Sequence, residues 1–212
     1  MVEQVVSGKR RGRPPASDSA DTRRAILDNA RRLFAEGGYA AVTNKDLAEA
    51  AGLTTGALYH YVDSKLDLYV MVDIDSQTFI YDRFRAAVAG LTTFLGMFDS
   101  VLDAAADMHE EDPSLTRFVG TVRTDIGYHP EIAERLASQA HEREEFFFGL
   151  VDIGIATGEI GPDDRELVTE FIRIVLTGLT MVSTSARRYR RSVESVKTVI
   201  RGQLVEPLTE SG

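Results

Sequence analysis

Apolar positions recur every three or four residues along most of this chain and rarely alternate, so the pattern predicts helices and no sheet. In the first helix Ile26, Leu27, Ala30, Leu33 and Phe34 share a face. Ser19 or Asp21 can cap its start, and Gly37-Gly38 stops it, because glycine adopts the left-handed C-terminal conformation without steric cost. Thr43 and Asp46 read as a capping box that opens a short helix with Leu47, Ala48 and Ala51 inward and Gly52 at its end. Thr54 caps another short helix, "TGALYHY", a few residues later. Two short helices joined by a tight, glycine-containing turn form a helix-turn-helix. Asp63 or Ser64 then caps a helix that carries Leu66, Leu68, Val72, Phe79, Ile80 and Phe84 and runs to Gly90. Further helices are predicted at about 92–110, 113–127, 130–157, 163–189 and 192–208, with breaks at Asp112-Pro113, at His129-Pro130, between Gly158 and Pro162, and near Tyr189. The expected fold class is all-α: an N-terminal three-helix helix-turn-helix domain (19–66) after an arm (1–18), then a six-helix domain (67–212).

Composition narrows the possibilities. With 212 residues, 43% of them hydrophobic, the chain can bury a core as one domain or as a small and a larger one. The absence of cysteine excludes disulfides, thiolate zinc sites and cysteine nucleophiles, and fits a cytoplasmic location. No apolar segment resembles a secretory signal. The most apolar late stretch, "FIRIVLTGLTMVSTSA", is short of about twenty residues and contains Arg173, so no membrane span is expected.

The net charge of −9 hides a division. Residues 9–32 hold eight Lys or Arg against three Asp, whereas residues 71–212 hold fourteen against twenty-four Asp or Glu. A basic front on an acidic body suggests two tasks on one chain. The front begins with "KRRGRPP", which lacks periodicity and reads as a disordered arm. Its core "RGRP" resembles an AT-hook. Gly12 allows close backbone approach, Pro14 and Pro15 keep the chain extended, and narrow A·T-rich minor grooves concentrate negative potential for Arg11 and Arg13, with Lys9 and Arg10 beside them.

A helix that enters the major groove needs small residues at its start, polar or aromatic side chains facing the bases, and a rigid platform behind. "TTGALYHYVDSK" supplies these. Gly56 and Ala57 are small; Thr54, Thr55, Tyr59, His60 and Tyr61 offer hydroxyl and imidazole groups; Leu58 faces back toward Leu47 and Phe34. Lys65 stands at a helix N-terminus, where free N–H groups already favour an anion.

Residues 20–72 resemble the DNA-binding domain of the TetR family of bacterial transcriptional regulators. The resemblance rests on Leu33-Phe34, Gly37-Gly38-Tyr39, Thr43, Leu47-Ala48, Ala51-Gly52, Gly56, Leu58-Tyr59, Tyr61 and Ser64-Lys65 at fixed spacings. Val62 and Asn44 depart from it, standing where a phenylalanine and an apolar residue are usual. The resemblance implies that Thr54, Thr55, Gly56, Ala57, Tyr59, His60 and Tyr61 face double-stranded DNA, that Thr43, Lys45 and Lys65 hold phosphates, and that the second half dimerises and binds a small effector.

One recognition helix reads too few base pairs alone, so a homodimer on a palindromic operator is expected. Phe171, Val175, Leu179, Val182, Val196 and Ile200 lie on apolar stripes of the last two helices and are the candidate interface. The middle helices are rich in large apolar side chains, and Phe98, Met108, Phe118, Val122, His141 and Phe147 are the candidate effector contacts. No histidine pair at i, i+4 accompanies His109 or His141, so no metal is expected, and no cofactor. Nucleophile-elbow, P-loop and dinucleotide motifs are missing, so an enzyme is not expected. A helical interaction module for an acidic partner is the alternative, and it leaves the groove-facing pattern unused.

Overall fold

Helix-breaking and helix-capping residues divide the chain much as the pattern predicts. The computed structural model describes residues 16–182 and 185–202, and their side chains except at 16–19, 139–142 and 182. Among the described residues there are nine α-helices and no strand. α1 (Ala16–Ala41) begins inside the expected arm and bends at Gly38, whose φ of 71° and ψ of 173° lie outside the helical region. α2 (Asn44–Ala50) and α3 (Thr55–Leu58) form the helix-turn-helix. α4 (Lys65–Val88) follows from Ser64, whose hydroxyl accepts the Asp67 N–H at 3.0 Å and donates to the Asp67 carboxylate at 2.6 Å. α5 (Phe94–Glu111), α6 (Pro113–Tyr128) and α7 (Pro130–Thr157) start at Thr93, Asp112 and His129, two of them with proline at the first position, where its missing N–H costs nothing.

The last two helices correct the sequence reading. A 3₁₀ turn (Pro162–Asp164) leads into α8 (Arg165–Val182), and α9 (Ala186–Ile200) begins after Ser185. The break near Tyr189 is therefore misplaced. Ser185 caps the helix by accepting the Arg188 N–H, and Tyr189 lies within α9, buried. The end of the helix expected at 192–208 passes outside the described residues.

Two apolar cores hold the helices. The first joins Phe34, Leu47, Leu58, Leu68 and Tyr69 to Phe118 and Val122 of α6 and Ile132 and Leu136 of α7. α1 and α4, which flank the helix-turn-helix, thus pack directly on the second half of the chain. The second core gathers Phe84, Phe98, Val101, Leu102, Val151, Ile172, Leu179 and Val193 from α4, α5, α7, α8 and α9. Complementary charge adds a seam between α5 and α9: Lys197 reaches Asp103 at 2.5 Å, Arg190 reaches Asp107 and Glu110, and Arg201 reaches Asp99.

Candidate nucleic-acid interface and effector cavity

The reading head is fixed by local bonds. The Thr43 hydroxyl accepts the Asp46 N–H at 3.2 Å, and the Asp46 carboxylate accepts the Thr43 N–H at 2.9 Å and its hydroxyl at 2.7 Å. These bonds hold the Asp46 carboxyl below the usual carboxylate range. At the turn, Gly52 takes φ of 67° and Leu53 donates back to the Ala48 carbonyl at 2.8 Å. Thr54 then caps α3 by accepting the Ala57 N–H at 3.1 Å. Leu58 is 1% exposed and anchors α3 to the core, a burial that stabilises by about 2 kcal/mol. Thr54, Thr55, Gly56, Tyr59 and His60 consequently stand exposed, with Ala57 and Tyr61 half-buried beside them and Lys45 exposed on α2.

Three side chains have more specific surroundings than their sequence positions suggest. The only hydroxyl proton of Thr43 is directed at Asp46, so in this geometry it is not offered to a phosphate. Lys65 donates to the carbonyls of Tyr39 at 2.8 Å and Val42 at 3.0 Å, and its ammonium lies 4.3 Å from the Tyr39 ring centre. Two of its three donors therefore brace the α1–α2 link, and burial pushes its pKa down. Asn44, the departure from the family pattern, donates to the Tyr59 hydroxyl at 2.7 Å and ties α2 to the end of α3. That bond was missed in the sequence because it depends on side-chain direction across fifteen positions.

α6 grips α1 and α4, which flank the helix-turn-helix, at both of its own ends. At its start Arg31, 7% exposed, pairs with Asp112 at 2.7 Å. Burial pushes the Asp112 carboxyl up, but bonds from Ser114 and Arg31 outweigh it and hold the carboxyl low. Near its end Asp125 accepts the Tyr69 hydroxyl at 2.7 Å and the Tyr39 N–H at 2.9 Å. Gly38 is needed for its positive φ, and a β-carbon there would also crowd this carboxylate at 3.3 Å.

The other face of α6 lines a half-open cavity of about 650 Å³ whose walls come from α4 through α9. Of the expected effector contacts, Met108, Val122 and Phe147 line it. Phe98 and Phe118 do not, because both are fully buried: Phe98 stacks with Phe94, and Phe118 packs against Phe34 and Tyr69. The His141 side chain lies outside the described residues. Tyr81, Arg123, Arg143, Thr116 and Tyr189 also line the cavity, and sequence periodicity gave no signal for them. No group of metal-ligating side chains is found among the described residues.

The expected dimer residues separate into two sets. Phe171 is exposed, whereas Leu179 is 4% exposed and Val175, Val196 and Ile200 pack against the same core. Val182 has no described side chain. The apolar face that α8 leaves uncovered is instead Leu167, Phe171, Ile174 and Met181, with Val199 of α9. The basic arm, with Lys9, Arg10, Arg11 and Arg13, lies outside the described residues, and no described helix is long and apolar enough to cross a membrane.

A braced, short second helix that presents hydroxyls and an imidazole above an all-helical body defines a helix-turn-helix DNA-binding regulator. Residues 26–72 match the model of the bacterial regulatory proteins of the tetR family. Over 171 residues the chain is 33% identical to the HTH-type transcriptional repressor KstR2 of Rhodococcus jostii, spanning 76% of this chain and 80% of that protein. A TetR transcriptional regulator from Chloroflexus aurantiacus superposes with a TM-score of 0.73 at 25% identity, over 88% of this chain and 98% of that one. The ketosteroid transcriptional regulator KstR2 of Mycobacterium tuberculosis does so with a TM-score of 0.66 at 22% identity, over 85% and 93%. The chain belongs to the TetR family and is a transcriptional regulator with that family's DNA-binding domain.

Proposed function

We propose that the protein is a repressor that binds a palindromic operator as a homodimer and leaves it when a small, largely apolar molecule fills the cavity. The observation that carries this reading is the double use of α6. One face lines the cavity through Thr116, Val119 and Val122, and its ends hold Arg31, Tyr39 and Tyr69 through Asp112 and Asp125. A ligand that favours a shifted α6 therefore also favours a shifted reading head. Release needs that differential affinity, since a ligand binding both arrangements equally moves nothing.

Thr54, Thr55, Gly56, Ala57, Tyr59, His60 and Tyr61 are assigned to the major groove, with Lys45 and the third N–H of Lys65 on phosphates. Gly56 supports this placement. A β-carbon there would touch nothing in the protein, and its φ is not positive, so the fold itself does not require glycine. An exposed helical glycine costs about 1 kcal/mol against alanine, and it leaves room for an approaching DNA backbone. Gly178 is alike on α8: a β-carbon meets nothing within the chain, and the residue lies between Ile174 and Met181 on the uncovered apolar stripe. Two such stripes packed together would set the reading heads for half-sites about 34–36 Å apart. Lys9, Arg10, Arg11 and Arg13 are assigned to the flanking minor groove.

Selection of bound duplexes from a random pool tests the reading. We expect an inverted repeat with A·T-rich flanks. Arg11→Ala with Arg13→Ala should erase the flank preference while keeping the repeat, and equal binding of G·C flanks by the wild type would reduce the arm to a charged tether.

A further inference from the structure

Two cationic side chains line the cavity with no carboxylate bonded to them. Arg123 comes from α6 and Arg143 from α7, and both line the cavity together with Tyr81 of α4. Neither makes a hydrogen bond or ion pair among the described residues, whereas Arg173, on the same wall, is bonded to Glu170 at 2.8 Å. Glu144, Glu166 and Glu170 also line the cavity; like Arg123 they are exposed, Arg143 is half-buried, and none of the three glutamates pairs with Arg123 or Arg143. The charged or phenolic groups that act on Arg123 are Arg143, Tyr81 and Arg173, with no carboxylate among them. Burial and Arg143 together push the Arg123 pKa below its ordinary value, and burial pushes the Tyr81 hydroxyl up to about 12, so it stays a neutral donor. Arg143 acts on Asp73, a fully buried carboxyl whose pKa burial raises and Arg143 and Gln77 pull back down, but it is not bonded to it. Two guanidinium groups and a phenol thus line, with no carboxylate bonded to them, a space otherwise walled by Ile80, Phe84, Val122 and Phe147.

We propose that the effector is an apolar carboxylate whose head group is held by Arg123 and Arg143. This rests on the ligand-released repressor reading and names the chemistry of its ligand. Guanidinium groups present paired donors that match a carboxylate, and such charge-assisted bonds are among the strong ones. The apolar walls take the rest of the molecule, as ligand pockets of this size do. Placement links the site to DNA. Arg123 and Asp125 are two residues apart on α6, on opposite faces of one turn, so the turn that receives the carboxylate is the one that holds Tyr39 and Tyr69. Closing the arginines of α6 and α7 around an anion would move that turn.

The test compares dodecanoate, dodecanol and dodecyltrimethylammonium for displacement of the fluorophore anilinonaphthalene sulfonate from the whole protein, and for release of the selected duplex. Dodecanoate should compete about tenfold more tightly than dodecanol, and the cation should compete least. Arg123→Met with Arg143→Met should abolish the difference between acid and alcohol, and each single variant should reduce it. Acid and alcohol binding alike, neither binding, or a ratio that survives the double substitution would each overturn the proposal. If the alcohol binds as well and also releases DNA, the repressor reading stands and the carboxylate falls. If the acid binds and the duplex stays bound, the anion site stands and ligand-controlled release falls.

Discussion

At position 65 one ammonium serves two surfaces. Its bonds to the Tyr39 and Val42 carbonyls brace the link between α1 and α2, and one donor is left for DNA. Lys65→Ala should therefore lower the melting temperature and weaken binding to every duplex alike. If the third N–H meets a phosphate, the salt dependence of log K should also flatten by about 0.9; an unchanged slope would leave Lys65 as a brace only. His109 belongs to the same scale. It is 2% exposed and its ring lies 4.4 Å from that of Tyr189. Burial, then Arg117, holds its pKa below the ordinary value of 6.5. Below about pH 6.5 the unfolded chain therefore binds the proton more readily than the native one, and stability falls as pH drops through that window. His109→Phe keeps the ring contact and should make melting temperature less sensitive to pH between about 7.5 and 5.5. An equal loss in both proteins would show that His109 does not titrate there. The residue scale was the least legible in the sequence. Caps at Thr43, Thr54 and Ser64 could be read because donor and acceptor sit three positions apart. The Asn44–Tyr59 bond and the Arg123–Arg143 pair could not, since each depends on how separate helices are placed.

Among the elements, α6 carries the account. Asp125 satisfies two donors on the reading head, the fully buried Tyr69 hydroxyl and the Tyr39 N–H. Asp125→Ala strands both, and chemical denaturation should register a loss of about 3 kcal/mol. A loss under about 0.5 kcal/mol, the level of an ordinary surface change, would mean that α6 does not hold the domain through this residue. Helix positions were largely legible because breakers and caps are local signals, and Gly38, Pro113 and Pro130 act where their chemistry predicts. The junction of α8 and α9 was misread for a physical reason. Its boundary is set by a serine cap rather than a proline or glycine, and Tyr189 beyond it is held inside α9 by packing. Nothing in a helical period reveals which of two apolar faces meets its own core, so Leu179 was assigned to an interface although it is buried at home.

At the scale of the whole molecule, that distinction gives a clean pair of variants. Ile174 is 60% exposed and Leu179 is 4% exposed on the same helix. Ile174→Arg should give a folded monomer by sedimentation with weakened operator binding, whereas Leu179→Arg should unfold the protein by burying an unpaired charge. A dimeric Ile174→Arg would move the interface elsewhere. The central claim is that α3 reads a particular sequence. The most direct measurement is enrichment of duplexes from a random pool by the wild type and by His60→Ala and Thr55→Ala. The account expects one inverted repeat, with the substitutions changing the favoured base at defined positions of each half-site while the repeat spacing is kept. A pool that stays random with the wild type, or an identical site selected by all three proteins, would contradict it.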